Sequence, residues 1–170
     1  MHRDRAALIE SAMGPEAGLV KPRFDRGCRC YAATVDGSIA GYGWLSTGPE
    51  WIGELQLEIA PGPGEGYVWN CVTVPEHRKK GVFRALLFGV SRAGHEEGLK
   101  RLWIGSVAIP AEKAVGPSGF RRALRFVTAS AAGLHLLQVE PSDPILAGEG
   151  LTALNTSPGW HFRRSRIRRH

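Results

Sequence analysis

A basic turn between an apolar strand and an amphipathic helix is the part of this sequence best suited to chemistry. Three consecutive cations, Arg78, Lys79 and Lys80, precede Gly81, and the helical spacing of apolar residues begins at Val82. The first backbone N–H groups of a helix have no intrahelical acceptors, and the helix dipole gives them partial positive charge. Gly81 would let an anion approach the backbone closely. The pattern predicts an anion-binding site, with a solvated basic helix start as the alternative.

Two carboxylates and three thiols are further candidates. Glu54 and Glu58 alternate with apolar residues, so a strand would place them on one face, where they could attract a cationic amine or hold a water; a solvated face is the alternative. Cys71 is interpreted as a small core residue rather than a nucleophile. Cys28 and Cys30 have no second Cys/His pair at ligand spacing, so no metal is predicted.

The charge distribution argues against a domain-wide basic face. The chain has 170 residues and a hydrophobic fraction of 43%, which suits one ordinary globular domain. Five of its 22 Lys and Arg residues are arginines in the last eight positions, which leaves 17 cations against 16 anions elsewhere. We expect the end of the chain, residues 162–170, to be a mobile appendage that binds nucleic-acid phosphates only weakly and without sequence preference.

Cysteine usage and hydropathy favour the cytoplasm. Three cysteines cannot all pair with one another, and the first residues lack the apolar run of a signal peptide. No apolar run reaches the ~20 residues that a membrane-spanning helix needs. The sequence therefore predicts a cytoplasmic protein with no membrane partner.

Two pairs of strands are predicted in the first half of the chain. The β-prone runs 28–35 and 39–46 flank Asp36 and Gly37, a strong hairpin signal because glycine tolerates positive φ. The alternation of apolar and polar residues over 52–59 predicts one strand with a wet face. We expect it to pair with a strand over 67–74.

A helix follows the basic turn. Pro75 ends the preceding strand, and Gly98 ends a helix with one buried stripe, formed by Val82, Phe83, Leu86, Leu87, Val90 and Ala93. A strand over 102–107 completes a βαβ-like unit. The predicted remainder is a short helix over 111–115, a strand pair over 121–130 and 134–139, and an irregular segment from residue 141.

The segment over residues 72–87 resembles motif A of the GNAT superfamily of N-acetyltransferases. In that motif a strand, a (Gln/Arg)-x-x-Gly-x-(Gly/Ala) turn and a helix bind the pyrophosphate of acyl-CoA. Arg78 and Gly81 match the motif, whereas Phe83 stands where the family prefers Gly or Ala. The order of predicted elements from about residue 24 to 130 is also similar to that of the family.

The resemblance implies an α/β fold with a mixed, mainly antiparallel twisted sheet, flanked by helices and splayed at the acyl-CoA site. We expect one acyltransferase domain over residues 1–140 and an irregular extension over 141–170. Acetyl-CoA would be the cosubstrate, without a metal. Backbone groups of Val72, Thr73 and Val74 would pair with its pantetheine arm. The pyrophosphate would be held by the turn and helix start, that is by Arg78, Lys79, Lys80, Gly81, Val82, Phe83 and Arg84.

The resemblance leaves the catalytic groups less defined. The strand position eleven residues before Arg78, which carries Glu in histone-type members, holds Tyr67 here. Glu65 lies two residues earlier and therefore on the same strand face. The general base is expected to be Glu65, or a water held by Glu54 or Glu58. Tyr67 is expected to protonate the departing CoA thiolate.

The predicted function is direct transfer of an acetyl group from acetyl-CoA to the amine of a small molecule or peptide. The alternative is a catalytically inactive acyl-CoA-binding regulatory domain, because Phe83 departs from the motif and the family's usual Tyr before Gly119 is absent. A homodimer is compatible with the sequence. Nucleic acid is expected to meet the arginine-rich tail alone.

Overall fold

The computed structural model describes residues 6–106 and 113–164. Its helices are α1 (Ala6–Met13), α2 (Val20–Asp25), α3 (Val82–Glu96) and α4 (Leu146–Ala153). Its strands are β1 (Arg29–Val35), β2 (Ser38–Ser46), β3 (Glu50–Ile52), β4 (Leu57–Ile59), β5 (Glu65–Thr73), β6 (Arg101–Ile104), β7 (Leu124–Ala131), β8 (Leu134–Pro141) and β9 (Gly159–Arg164).

The chain divides into two compact units. The first unit consists of Met1–Thr47 and Pro63–Gly119, and the second of Gly48–Gly62 and Phe120–His170. These divisions differ from the boundary predicted at residue 140, and the single acyltransferase domain stays a prediction. No helix within the described residues combines the length and apolar character needed to cross a membrane.

The predicted hairpin near the start of the first unit is confirmed. β1 and β2 pair antiparallel, with Val35 opposite Ser38 at the turn. Asp36 and Gly37 have φ values of 50° and 79°. Two consecutive positive φ values are what a two-residue turn needs to match the twist of its strands.

β5 lies between an antiparallel and a parallel neighbour. The sheet of the first unit has the order β1-β2-β5-β6, in which β5 pairs antiparallel with β2 and parallel with β6. A parallel pair needs a crossover connection, and α3 supplies it. The sheet is therefore mixed and mainly antiparallel, as predicted.

Helices cover both faces of this sheet. On one face, Ile9 of α1 and Val20 of α2 belong to a buried core cluster with Trp44 of β2. On the other face, Leu86 of α3 lies against Gly43. Consecutive strand residues point to opposite faces, so Gly43 and Trp44 mark the two sides of a three-layered unit.

A bulge in β5 breaks the alternation of its side chains. Tyr42 pairs with Val72 but Trp44 pairs with Trp69, so three steps along β5 match two along β2. Asn70 in the bulge has φ 44°, a conformation that Asn adopts more readily than most residues. Trp69 and Val72 consequently both pack against the core cluster on the α1 side.

The bulge also turns Cys71 towards α3. Strict alternation along the strand would place Cys71 on the same face as Tyr67 and Trp69, and the bulge prevents this. Its Sγ fills the space beside Gly43, where a Cβ would lie 2.7 Å from the sulfur. Simple alternation could not reveal this placement, because one extra residue shifts the period of every residue after it.

Residues 52–59 do not form one strand paired with β5, as we had expected. The chain turns at residues 53–56, and β4 pairs with β3 instead. Gln56 takes a left-handed φ of 50° at the end of this turn. The apolar positions of the alternation are nevertheless all buried, namely Leu55, Leu57 and Ile59. The pattern therefore predicted burial correctly, although it did not reveal the turn.

The second unit contains a three-stranded antiparallel sheet in the order β7-β8-β9. The predicted strand pair over 121–139 is confirmed as β7 and β8. The irregular segment predicted from residue 141 is wrong for the described residues, since it contains α4 and β9. Pro141 and Pro144 led to this error, but a proline is compatible with the end of a strand and with the residues just ahead of a helix.

Asp143 organises the start of α4. Its Oδ1 accepts hydrogen bonds from the backbone N–H groups of Ile145 and Leu146, each at 2.9 Å. Its other carboxylate oxygen forms an ion pair with Arg121. The two backbone hydrogen bonds, followed by the charge of Arg121, lower the pKa of the Asp143 carboxyl. The Asp143 carboxylate therefore satisfies backbone N–H groups at the start of α4, as a capping side chain does.

Some predicted elements extend outside the described residues. The predicted strand over 102–107 is β6, described to Ile104, and its last residue lies outside the description. The short helix predicted over 111–115 is seen at 113–115, and residues 111 and 112 lie outside. We expected residues 162–170 to form a mobile tail. Residues 162–164 belong to β9, and residues 165–170 lie outside the described part of the chain.

Gly43→Ala is expected to destabilise the protein, because the new Cβ would lie 2.7 Å from the Cys71 sulfur. Overpacking of this kind costs about 1–3 kcal/mol. In a Cys71→Ala background the sulfur is absent, so the same change should cost less. Denaturant unfolding of both single variants, the double variant and the native chain measures this difference. Equal costs in both backgrounds would contradict the contact.

Candidate functional site

The basic turn follows β5 through a short hydrogen-bonded connection. A 3-10 turn over Pro75–His77 comes directly after the strand, and the Arg78 N–H donates to the Pro75 carbonyl at 3.2 Å. The Arg78 Nε donates back to the Thr73 carbonyl at 3.3 Å. α3 begins at Val82. The predicted succession of strand, basic turn and helix is therefore present.

Two left-handed residues shape the end of the turn. Lys79 has φ 62° and Gly81 has φ 80°. Nothing described lies within 4 Å of the position of a Gly81 Cβ, so glycine is needed here for its conformation rather than for space. The Ala85 N–H donates to the Gly81 carbonyl at 3.0 Å and closes the first helical turn. The earlier helical N–H groups have no intrahelical acceptor, and Gly81 has no side chain to cap them.

Exposed cations surround this helix start. The side chains of Arg78, Lys79 and Lys80 on the turn, and of Arg84 in the first turn of α3, are all exposed. The first turn of α3 contains no acidic residue. Full positive charges thus add to the partial charge of the helix dipole. Backbone donors and cations together suit a phosphate or a diphosphate.

β5 and β6 separate next to this helix start. Their parallel pairing runs from Glu65 opposite Arg101 to Val68 opposite Ile104, whereas β5 continues to Thr73. Within the described chain, the β5 residues after Val68 have no partner on β6, which leaves backbone donors and acceptors along an open strand edge. The predicted separation of the two strands is found here, and the open edge leads directly into the basic turn.

Close packing brings α3 near β5 beneath this edge. A Cβ on Gly41 of β2 would lie 2.8 Å from the Val72 carbonyl oxygen and 3.0 Å from Cγ1 of Val82. Sequence reasoning did not identify Gly41 as a point of close packing, although a glycine inside a strand can signal a close backbone approach. Phe83, the departure from the motif, is half-buried, whereas Val82 is buried. The side chain of Phe83 is therefore partly withdrawn from the surface at the helix start.

Glu65 is engaged by two residues of β6. Its Oε1 accepts a hydrogen bond from Arg101 at 2.7 Å, and its Oε2 accepts one from the Trp103 indole N–H at 2.8 Å. The Glu65 side chain is 16% exposed, and the Arg101 guanidinium also lies 5.3 Å from the centroid of the Trp103 ring. Because both carboxylate oxygens have partners, proton transfer to Glu65 would require one of these contacts to be exchanged.

Tyr67 lies where β5 and β6 begin to part. It pairs with Trp103 across the sheet, one residue before the last pair at Val68. Tyr67 is 7% exposed. Its hydroxyl lies against Gly105, just after the end of β6, since a Cβ there would be 3.4 Å from the oxygen. The phenol thus reaches the opening between the strands.

Glu54 and Glu58 lie in the second unit. Glu54 is in the turn over 53–56 and Glu58 is in β4, and both are exposed. The turn separates them, so they do not share one strand face as we expected. Glu58 lines a polar cavity of about 620 Å³ within this unit, together with Trp51 and Arg163.

Arg23, a buried arginine that sequence reasoning missed, supports the bulge in β5. Its guanidinium lies 4.3 Å from the centroid of the Trp69 ring and 5.1 Å from that of Trp44, and the residue is 5% exposed. It forms an ion pair with Glu16 at 3.9 Å. Glu16 also accepts a hydrogen bond from Asn70 Nδ2 at 3.3 Å. Burial lowers the pKa of Arg23.

No local pattern in the sequence identifies these partners, because Arg23, Trp44 and Trp69 come from three separate elements. These contacts hold α2 against the bulged part of β5, which is the strand with the open edge.

The remaining thiol chemistry is unfavourable. The three cysteines form no disulfide. Burial raises the pKa of the Cys71 thiol to about 12, so it is protonated at neutral pH and a poor nucleophile. This agrees with its interpretation as a core residue. In the described ranges, no group of three or more His, Cys, Asp or Glu side chains could hold a metal ion.

Gly81→Ala is expected to destabilise the protein, because φ is 80° at this position. The left-handed conformation costs an L-residue about 1–2 kcal/mol. Gly89→Ala is the matched control, since its Cβ would also meet no described atom but it lies inside α3. That change should stabilise by about 0.5–1 kcal/mol. Chemical denaturation compares the two; stabilisation by both would contradict a special role for Gly81.

Comparison with known proteins adds independent findings. The model of the acetyltransferase (GNAT) family matches residues 6–116. Among solved structures, the ribosomal-protein-alanine N-acetyltransferase from Brucella melitensis biovar Abortus 2308 is similar, with a TM-score of 0.56 and 17% identity over 78% of this chain and 96% of that chain. No curated protein matched the chain.

Two further solved structures have the same fold. Aminoglycoside N-acetyltransferase AAC(6')-Iy in complex with CoA gives a TM-score of 0.57 and 14% identity over 77% of this chain and 96% of that chain. An acetyltransferase of Trypanosoma brucei gives 0.54 and 15% over 77% and 96%. The family match covers more than half of the chain and includes the strand, basic turn and helix described above, and we conclude that the chain belongs to the acetyltransferase (GNAT) family.

Proposed function

We propose that this protein transfers the acetyl group of acetyl-CoA directly to the amine of a small molecule or peptide. The observation that carries the proposal is the continuity of the open β5 edge with the uncapped, basic start of α3. The edge offers backbone hydrogen bonds to an extended chain of amides, and the helix start offers donors and charge to a diphosphate. CoA combines these two chemical features in one molecule.

The residues present fit this cosubstrate. Backbone groups of Val72, Thr73 and Val74 would bind the pantetheine arm. The exposed cations Arg78, Lys79, Lys80 and Arg84, with the N–H groups of Gly81, Val82 and Phe83, would hold the pyrophosphate. A solved neighbour, aminoglycoside N-acetyltransferase AAC(6')-Iy, contains CoA, which supports the same cosubstrate here.

The chemistry then requires two proton transfers. Acetyl-CoA supplies a thioester, the attacking amine must be neutral, and the leaving thiolate must be protonated. Tyr67 is the proposed donor, because its hydroxyl reaches the opening where β5 and β6 part. The proposed base is Glu65; the alternative base, a water held by Glu54 or Glu58, stays a prediction from the sequence because both residues belong to the second unit. The contacts of Glu65 with Arg101 and Trp103 favour an additional role in fixing β6.

The acceptor is proposed only as a class. Similar structures include enzymes named for ribosomal-protein alanine and for aminoglycosides, both of which present amines. We propose a cytoplasmic location, in keeping with three cysteines that form no disulfide, and a homodimer as the assembly to test. Release of thiol from acetyl-CoA with a panel of amines tests the activity, alongside a thermal shift with CoA. A shift without turnover on any amine would favour the inactive CoA-binding domain instead.

Arg78→Ala and Gly81→Glu are each expected to weaken CoA binding. The first removes a charged donor, worth about 1.5–3 kcal/mol for a hydrogen bond to a charged group, and the second places a carboxylate beside the pyrophosphate. Isothermal titration with CoA measures the loss. Arg92→Ala is the control, because it removes one exposed charge from the same helix at a position paired with Glu96. Equal affinity in all variants would contradict the anion site.

Tyr67→Phe is expected to lower kcat about 100-fold, the scale of a lost general acid, while the Kd for CoA stays the same. Tyr31→Phe serves as the control, since that hydroxyl donates to Glu97 on the protein surface. Unchanged kcat in Tyr67→Phe would remove this phenol from the mechanism.

Glu65→Gln separates a base from a positioning group through the pH–rate profile. If Glu65 is the base, the variant loses turnover together with the acidic limb of the profile. If Glu65 only holds Arg101 and Trp103, the limb remains and the variant is chiefly less stable to heat.

A further inference from the structure

One face of the three-stranded sheet in the second unit is apolar and uncovered. On β8, the side chains of His135, Leu137 and Val139 are buried, with 3%, 0% and 1% exposure. The intervening residues point to the opposite face, because side chains alternate along a strand. On that opposite face Leu134 is 60% exposed. One side of the sheet is therefore covered by protein and the other is open.

The open face presents two aromatic residues side by side. The strand register places Phe162 opposite Leu136, and Trp160 opposite Gln138, so both rings stand on the face of Leu134. Phe162 is 79% exposed and Trp160 is 54% exposed. Alternate residues of one strand are about 6.5–7 Å apart. That spacing is about twice the separation of stacked bases, so each ring can accept a base of its own.

The charge of this face is positive. Arg164 follows the two aromatics on the same side of β9, opposite Leu134. Arg125 lies on the same face of the sheet but is paired with Glu140 at 3.4 Å. Beyond Glu149 the sequence contains no Asp or Glu, and Arg166, Arg168 and Arg169 follow the described end of β9. Arg164 also lines the cavity that contains Glu58, and the sequence after β9 adds cations but no carboxylate.

We propose that this face of the sheet, defined by Trp160, Phe162, Arg164, Leu134 and Leu136, binds single-stranded nucleic acid. Bases would stack on the two rings, and Arg164 would contact a phosphate. Aromatic stacking platforms combined with basic grooves are the general solution for binding unpaired strands without sequence preference. The sequence alone favoured a solvated tail. The exposure of both rings on one face supplies the platform that a charged tail by itself would lack.

The composition of the face favours this occupant over a second copy of the chain. Among the described residues of this face, only Glu140 carries a carboxylate, and Glu140 is already paired with Arg125. A self-interface would therefore bury Arg164 without an acidic partner on the opposing copy, which is costly for a charged group. A polyanion with π faces satisfies both the arginine and the rings. This inference goes beyond the proposed acetyl transfer and does not depend on it.

The test uses the full chain and a fluorescently labelled 12-nucleotide oligo(U), with binding followed by anisotropy at low salt. Trp160→Ala combined with Phe162→Ala should weaken binding about 30-fold or more, since each stacked base contributes roughly 1–3 kcal/mol by alanine substitution. Trp160→Phe should retain binding, because phenylalanine also stacks. Phe88→Ala is the matched control, as it removes an aromatic that is 66% exposed on α3 of the first unit.

Salt dependence provides a second readout. If Arg164 contacts a phosphate, the affinity of the native chain for a single strand should fall more steeply with salt than the affinity of Arg164→Ala. A thermal shift with CoA, unchanged in the alanine double variant, shows that the first unit and its site are intact.

Three outcomes would overturn the proposal. Binding that is salt-dependent but unaffected by the alanine double variant would assign it to the arginines without the sheet face. Binding to anionic phospholipid vesicles but not to oligo(U) would make the face a membrane contact. A dimer in light scattering that the double variant dissociates, without oligo(U) binding, would make it a self-interface.

Discussion

The bulge at Asn70 is the constraint on which the candidate site depends. It lets Trp69 and Val72 share one face of β5 and turns Cys71 to the other. β5 stays paired with β2 on both sides of the bulge, whereas its described pairing with β6 ends at Val68, and the backbone edge beyond that point leads to the basic helix start. Arg23, packed on Trp44 and Trp69, holds this irregular strand against α2.

Glycines on β2 allow β5 and α3 to pack closely against that strand. Gly41 and Gly43 on β2 have no side chains to oppose Val72 and Cys71, so β2, β5 and α3 approach closely. Gly81 has a different function, because it ends the turn in a left-handed conformation with space around it. Gly41 and Gly43 thus provide space, whereas Gly81 provides a dihedral angle and is itself among the residues proposed to touch CoA.

Much of this could be predicted from the sequence where the signal is local. The hairpin at Asp36, the stripe of α3 and the basic turn ending at Gly81 each follow from spacing within a few residues. The bulge, the turn within 52–59 and the buried Arg23 could not be predicted. The bulge shifts the alternation by one residue that resembles its neighbours, and the turn preserves the alternation of buried positions and so is not visible in it. The third depends on contacts among residues far apart in the chain. The same limit applies to Glu65, whose partners on β6 come from a different part of the sequence.

The interleaving of the two units has a consequence for synthesis on the ribosome. Residues 48–62 leave the ribosome between the two segments of the first unit, and although β3 and β4 can pair with each other at once, two further hydrogen bonds of this segment are to residues made much later. The Ala60 N–H donates to the Ala153 carbonyl, and Arg163 donates to the Gln56 carbonyl. At about 5–20 residues per second, roughly 5–20 s pass before these partners exist. During that interval Leu55, Leu57 and Ile59, which are buried in the folded protein, lack the later part of their unit, so residues 48–62 are a segment that a chaperone could protect.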